Sequence, residues 1–308
     1  MRILITGGAG FIGSHLAEHF QHTAEVRVLD DLRTGHRRNL DGLNVEFVAG
    51  SILDRDRVRQ AMRGVDCVFH LAALVSVPES MQRPLDCAAL NVTGLLHVLE
   101  EASRAGVRKL CFSSSAAVYG DNPAVPKVET MCPEPRSPYA ITKLDGEYYG
   151  AMFTQTRGIE VACLRFFNVF GPRQDPGSAY AAAVPIFIRQ ALANQPLTIY
   201  GDGGQTRDFV YVKDVVAANA FVAARPGLTG VFNVGYGAGQ TINHLARTII
   251  DAAGSTSPIH YEPVRAGDVK HSVASVEKLR AAGFRPTGNL RDGLAATLDF
   301  CRSAAVPA

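Results

Sequence analysis

Residues 1–13 read MRILITGGAGFIG, and their reading decides the fold. Ile3, Leu4 and Ile5, closed by β-branched Thr6, form a short apolar run with the character of a buried strand. Gly7, Gly10 and Gly13 follow at fixed spacing, and Ser14 to Phe20 has the pattern of a helix. Strand, glycine turn and helix in that order make a glycine pattern a dinucleotide-binding signal. Gly7 permits the tight turn, Gly10 lets backbone approach a pyrophosphate, and Gly13 lets helix and strand pack closely. The helix N-terminus then faces the anion. The spacing is G-x-x-G-x-x-G rather than G-x-G-x-x-G.

Outward from this stretch, Val26 to Leu29 is a second strand and ends in Asp30-Asp31. Asp30 lies near the roughly 20-residue spacing at which a carboxylate binds the adenosine ribose diol, which favours NAD over NADP. Arg33 is the nearby cation that a 2′-phosphate would need. Val45 to Ala49 is a third strand, followed by Gly50-Ser51-Ile52 and a helix through Met62. Asp66 to Leu71 is a fourth, and small residues at its end, Ala72 and Ala73, let a flat cofactor lie against backbone. His70, flanked by strand core, reads as structural. Asn91 to Ala105 is helical and Lys109 to Ser114 a fifth strand. The alternation predicts an α/β fold, a Rossmann-type doubly wound parallel sheet with ligand at the carboxyl ends of its strands. We expect residues 1–166, with a returning segment near 209–236, to form the nucleotide domain. Residues 167–208 and 237–308 should form a smaller interleaved α/β substrate domain.

Bulk properties exclude other classes. The chain has 308 residues, 47% hydrophobic and 19% charged, with 31 Lys and Arg against 29 Asp and Glu. A net charge of +2 gives no reason to expect nucleic acid or membrane as partner. The six cysteines form no C-x-x-C and no histidine pairing at metal-ligand spacing, so no metal is expected. They read as free thiols in a reducing compartment, and the chain as cytoplasmic.

The fifth strand ends in Ser113-Ser114-Ser115, and Ser137-Pro138-Tyr139-Ala140-Ile141-Thr142-Lys143 follows later. Ser137 as cap and Pro138 at the first helical position place Tyr139 in the first turn. Lys143, four residues on, shares its helix face. Free tyrosine, with a pKa near ~10, is a poor base. A nearby ammonium and the positive nicotinamide ring would stabilise the phenolate, and the Ser115 hydroxyl can bond the same substrate oxygen. This is equipment for removing a carbinol proton while hydride leaves for NAD.

With GGAGFIGS, DDLRTG, HLAA, SSSAAVYG, SPYAITK, RFFNVFGPRQ, IYGDGGQTRDFVYVKD and RAGD, the chain resembles the extended short-chain dehydrogenase/reductase family, and within it the UDP-hexose 4-epimerases. The resemblance implies Ser115, Tyr139 and Lys143 as catalytic residues. It implies NAD contacts from Gly7, Gly10, Phe11, Ile12, Gly13, Asp30, Asp31, Ser51, Ile52, Leu71, Ala72 and Ala73, besides Tyr139 and Lys143. Ser51 departs from the Asp usual at the adenine-contacting position. Asn91 matches an Asn that fixes backbone around the active site. The similar 4,6-dehydratases place an Asp-Glu pair after the catalytic hydroxyl residue; Ala116-Ala117 stands there instead, which disfavours elimination.

For the substrate, the resemblance implies that Asn168, Arg207 and Arg265 hold a diphosphate, with backbone near Ala183. Thr198 and Tyr200 would flank uracil, and Asp268 would bind a ribose hydroxyl. Forked guanidiniums suit pyrophosphate. Relatives restricted to plain hexoses tend to carry a bulky Tyr where Ser272 stands, so Ser272 implies room for a 2-acetamido group. Locally, Arg165 to Phe170 reads as one strand, Ala181 to Leu192 as a helix, and Asp214 as the cap of a helix beginning at Val215. Val231 to Gly235 reads as a returning strand. Residues 241–253, 272–283 and 290–301 read as helices. The predicted reaction is NAD-dependent inversion of C4 of a UDP-hexose through a 4-keto sugar. The rivals are a UDP-glucuronate 4-epimerase, a decarboxylase, a 4-keto reductase and a non-catalytic NAD-binding regulator. Apolar faces near 91–105 and 140–156, which the family commonly pairs, favour a homodimer.

Overall fold

In the computed structural model, residues 1–175, 182–264 and 269–305 are described. Arg265 and Asp268 therefore lie outside the described residues. The chain divides into two units. The first comprises Met1–Gly120, Met131–Phe166 and Val216–Asn233. The second comprises Asp121–Thr130, Phe167–Val215 and Val234–Ala308. The excursion of 121–130 into the second unit carries no sequence signal.

The first unit opens with β1 (Arg2–Thr6), α1 (Phe11–Phe20), β2 (Glu25–Asp30), β3 (Val45–Ala49), α2 (Arg55–Ala61) and β4 (Cys67–His70). It continues with α3 (Val77–Gln82), α4 (Pro84–Ala88), α5 (Gly94–Arg104), β5 (Lys109–Ser115), α6 (Pro138–Arg157) and β6 (Glu160–Phe166). The second unit holds β7 (Asn168–Phe170), α7 (Ala183–Leu192), β8 (Leu197–Tyr200), β9 (Thr206–Arg207) and β10 (Phe209–Tyr211). The chain then crosses back through α8 (Val212–Ala223) and β11 (Gly230–Val234). It finishes with β12 (Gln240–Thr241), α9 (Ile242–Ala253), β13 (Ile259–Glu262), β14 (His271–Ser272), α10 (Glu277–Ala281) and α11 (Leu290–Ala305).

The main sheet runs β3-β2-β1-β4-β5-β6-β11. Every pair from β3 to β6 is parallel. Strands β1, β2, β4, β5 and β6 are almost wholly buried, as parallel strands covered on both faces must be, while edge strand β3 is partly exposed along its length. Leu4, Leu29, Val68, Leu110 and Phe112 pack with Val58 of α2, Leu95, Val98 and Leu99 of α5, and Phe153 of α6. Strand order reverses between β1 and β4, which opens a crevice at their carboxyl ends. The second unit has its own core, Phe187 and Ile188 of α7 with Ile199, Leu245, Ile249, Leu294 and Leu298. No helix among the described residues is long and apolar enough to cross a membrane. No cluster of three or more His, Cys, Asp or Glu among them could hold a metal.

Four local expectations are corrected. Helix α1 starts at Phe11, with Gly10 as its extended cap, so Gly13 lies inside the helix. The strand expected over 165–170 is two: the Phe167 N–H donates to Val234 and the Asn168 N–H to Asp208, so the chain leaves β6 and pairs with β10 instead. Of 272–283 only Glu277–Ala281 is helical. The Lys127 N–H bonds the Val273 carbonyl and the Ser275 N–H bonds that of Lys127, an extended pairing that a helix would preclude. Asp214 is not a cap. Helix α8 begins at Val212, and the Asp214 carboxylate accepts from the Tyr236 hydroxyl at 2.6 Å and from the Thr287 and Gly288 N–H groups.

Candidate active site

At the crevice, Gly7 takes a left-handed φ of +72° and its backbone lies against Ala72. A Cβ on Gly7 would stand 2.7 Å from the Ala72 nitrogen, and one on Gly13 would stand 2.3 Å from the Gly7 carbonyl oxygen. A Cβ on Gly10 would meet only that same oxygen, at 3.2 Å. The turn is therefore packed from behind and bare where a phosphate would approach. No side chain caps Gly10, so none occupies the helix N-terminus before an anion does. The Thr6 hydroxyl, hydrogen-bonded to His70 Nδ1 at 2.8 Å, accepts from the Ala72 N–H at 3.4 Å and braces the two strand ends. Leu71 continues the brace through its N–H to the Thr6 carbonyl, and Ala73 follows half-buried. Burial first, and the Lys143 charge second, push His70 down to about 3, so it stays neutral and structural.

Asp30, at the end of β2, accepts from the N–H groups of Ala9 (2.9 Å) and Leu32 (2.8 Å). Each carboxylate oxygen keeps a lone pair for a diol. Burial raises its pKa against those two donors. Asp31 is exposed and turns the chain by accepting from the Arg33 N–H. Phe11 and Ile12 open α1, half-buried. Ser51 Oγ accepts from the Leu53 N–H at 3.3 Å and serves the turn before α2. The Ile52 side chain is buried against Gly94, which leaves only its backbone for a ligand. These residues fit NAD: a bare glycine cradle, an unblocked helix end and, at the end of β2, a carboxylate with lone pairs left for a diol.

The residues expected to be catalytic sit on β5 and α6. Ser137 caps α6 by accepting from the Ala140 N–H (3.2 Å), and Pro138 starts it. Tyr139 and Lys143 therefore fall on one face in the first turns. Gly146 lets α6 ride directly on β5, where a Cβ would meet the Phe112 ring at 2.4 Å. The Ser115 hydroxyl hydrogen-bonds Tyr139 while accepting from the Ala117 N–H at 3.1 Å. Lys143 is buried, and its Nζ donates to the Ser113 carbonyl at 2.7 Å and stands 5.7 Å from the Tyr139 ring centroid. Burial raises the Tyr139 pKa, the Ser115 bond opposes it, and Cys87 adds to the rise. Burial pulls Lys143 down to about 8. In this environment Tyr139 is a phenol at neutral pH. Residues Ala116–Tyr119 form one turn of 3-10 helix, and Ala116 and Ala117 offer no carboxylate.

Two supports reach this helix from far away in sequence. The buried Ser80 hydroxyl accepts from the Tyr139 N–H at 3.2 Å. The Asn91 amide accepts from the Leu74 N–H at 2.7 Å and donates to the Leu74 carbonyl and to Thr142 Oγ1, both at 3.0 Å. Asn91 lies in a π-helical turn, Ala89–Thr93, a distortion frequent at functional sites. Sequence reasoning missed Ser80; its only trace is the S-x-x-E cap at Ser76 and Glu79 that starts α3.

In the second unit, Arg207 and Ser272 stand opposite each other in the parallel register of β9 and β14. Arg207 Nη1 donates to the Thr206 carbonyl at 3.0 Å. Thr198 and Tyr200 share the half-exposed face of β8, while Leu197 and Ile199 face the core. Asn168 starts β7, half-buried. Ala183 is the first residue of α7, whose N-cap Ala182 makes no side-chain cap bond.

The family model for the NAD dependent epimerase/dehydratase family matches residues 3–235. The UDP-glucose 4-epimerase of Mycolicibacterium smegmatis is 38% identical over 311 residues, covering 98% of this chain and 99% of the relative. Among solved structures, the UDP-N-acetylglucosamine 4-epimerase of Methanobrevibacter ruminantium, in complex with UDP-N-acetylmuramic acid, is similar at TM-score 0.95 and 38% identity, with 98% of each chain covered. The Thermus thermophilus UDP-glucose 4-epimerase, in complex with NAD, gives TM-score 0.92 and 39% identity over 99% of this chain and 100% of that one.

Proposed function

This chain belongs to the NAD dependent epimerase/dehydratase family, and from that premise we propose that it inverts the C4 hydroxyl of a UDP-hexose. Bound NAD supplies a hydride acceptor that becomes a donor within the same turnover. The observation that carries the reading is the hydrogen-bonded Ser115 and Tyr139 beside buried Lys143, with Ala116 and Ala117 where elimination would need acids. Tyr139 takes the proton from O4 as the sugar becomes a 4-ketone, and returns it when the alcohol re-forms on the other face. Ser115 bridges the same oxygen. Lys143 and the oxidised cofactor supply the positive charge that burial makes necessary for a phenolate. Asn168, Arg207, Thr198, Tyr200 and backbone at Ala183 are assigned to UDP, with Arg265 and Asp268, and the binding energy of UDP retains the ketone while the sugar turns.

The acetamido sugars are also substrates on this reading. Ser272, in register with Arg207, is a small residue beside the assigned diphosphate group, and one similar structure is a UDP-N-acetylglucosamine 4-epimerase. The exposed stripe Ile141, Tyr148 and Met152 on α6 supports a homodimer, to be measured by sedimentation. The deciding experiment incubates purified protein with UDP-Gal and with UDP-GalNAc, without added cofactor. C4 inversion of both is expected. Inversion of neither sugar, even after NAD is added, would reject the epimerase reading. Turnover of only the plain hexose would reject the acetamido assignment alone.

A further inference from the structure

Glu147 follows Lys143 by one turn of α6, as Lys143 follows Tyr139. Its carboxylate accepts from Arg165 Nε at 2.8 Å and Nη2 at 2.7 Å, a forked pair with both side chains buried. It also accepts from the Ser114 hydroxyl at 2.5 Å. The Arg165 guanidinium lies 4.7 Å over the Tyr119 ring, and the Tyr119 hydroxyl donates to Asn233 Oδ1 at 2.7 Å. One buried charge pair thereby ties β5, α6, β6, the turn at 116–119 and β11 together behind the catalytic serine.

A buried ion pair is a weak device for stability, because desolvation offsets most of its attraction and an apolar cluster serves as well. What an apolar cluster lacks is direction. The forked bonds fix the Glu147 carboxylate, and its second partner fixes the strand end. Consecutive residues of β5 are held to consecutive turns of α6: the Ser113 carbonyl by Lys143 and the Ser114 hydroxyl by Glu147. Ser115 is the next residue on the strand and Tyr139 lies one turn earlier on the helix.

We propose that Ser114, Glu147 and Arg165 are positioning residues for the C4 reaction, setting the Ser115–Tyr139 hydrogen bond through the Ser114–Glu147 link. The inference rests on the epimerase reading above. Ser114→Ala in the full-length, NAD-loaded protein tests it, because it removes one hydroxyl and leaves the Glu147–Arg165 pair intact. The Michaelis constant for UDP-Gal, the melting temperature and the NAD content are expected to stay within about twofold or a few degrees of wild type. The turnover number is expected to fall roughly 10- to 100-fold, the scale of a small misplacement at a reacting centre. The acid limb of the pH–rate profile should move to higher pH, since the Ser115 bond that lowers the Tyr139 pKa is loosened. Ser114→Thr, which keeps the hydroxyl, should restore most of the turnover. An active wild type with an equally active Ser114→Ala would overturn this inference alone. So would a fall in turnover accompanied by matching losses of NAD, substrate affinity and melting temperature. A wild type with no C4 turnover would overturn the epimerase reading and this inference with it.

Discussion

Lys143 donates a 2.7 Å hydrogen bond from its buried ammonium to the carbonyl oxygen of Ser113, which pins α6 to the strand that ends in Ser115. The same burial pulls the Lys143 pKa from 10.5 to about 8. The folded protein therefore holds this proton less tightly than the unfolded chain does. Between about pH 8 and 10.5 the unfolded state binds more protons, so stability rises with pH through that window, and below it the charged lysine is a net cost. Lys143→Met, which fills the volume without the charge, is expected to lower turnover by at least roughly 100-fold. Its melting temperature at pH 7 should be at or above that of wild type. Calorimetry beside a steady-state assay checks both, and a destabilised or active variant would contradict the assignment.

His70 makes the opposite end of the pH range informative. Burial holds it near a pKa of about 3, against 6.5 unfolded. As pH falls from 6.5 toward 3 the unfolded chain gains a proton that the folded one refuses, so stability is lost with acid, by several kcal/mol in all. A His70→Asn variant should show a flatter decline of stability across that window in denaturant titrations. An unchanged slope would mean that His70 is not buried neutral.

Gly13 is expected to tolerate no side chain. The Cβ of Gly13→Ala would stand 2.3 Å from the Gly7 carbonyl oxygen, and backbone on both sides leaves nothing flexible to move. The helix must shift away from β1, a strain typically of about 1–3 kcal/mol, and the phosphate cradle moves with it. Absorbance of NAD released on denaturation should show little cofactor in the variant. Full NAD content would show that the close packing is not what holds the cradle.

The parts of the fold and site carried by short-range spacing were legible in the sequence. The apolar run, glycines and helix of residues 2–20, and the four-residue step from Tyr139 to Lys143, depend on periods that the chain itself displays. What was not legible depends on partners distant in sequence. Ser80 bonds the Tyr139 backbone, and nothing in the spacing of a lone serine says so. The strand break after Phe166 is marked by the Asn168 N–H, which donates to Asp208 as the chain takes up pairing with β10. Asp214 looks like a helix cap by composition, yet Tyr236, Thr287 and Gly288 claim its oxygens. Of residues 272–283 the helical pattern belongs to 277–281, whereas pairing with Lys127 holds 273–275 extended.

Ser272 tests specificity. Ser272→Tyr places a phenol ring in register with Arg207, filling the room assigned to the acetamido group. Activity on UDP-GalNAc is expected to fall by two or more orders of magnitude while activity on UDP-Gal stays within roughly threefold, the asymmetry of a steric rather than a chemical change. Parallel loss on both sugars would remove Ser272 from the sugar-facing residues.

On the epimerase reading the hydrogen at C4 leaves the sugar and comes back within one protein molecule, with Tyr139 handling only the hydroxyl proton. Epimerisation of UDP-Gal in heavy water, without added cofactor and read by NMR at C4, tests it most directly. UDP-Glc with no solvent deuterium at C4 is expected, together with loss of turnover by several orders of magnitude in Tyr139→Phe. Deuterium at C4, or a Tyr139→Phe variant close to wild type, would contradict it.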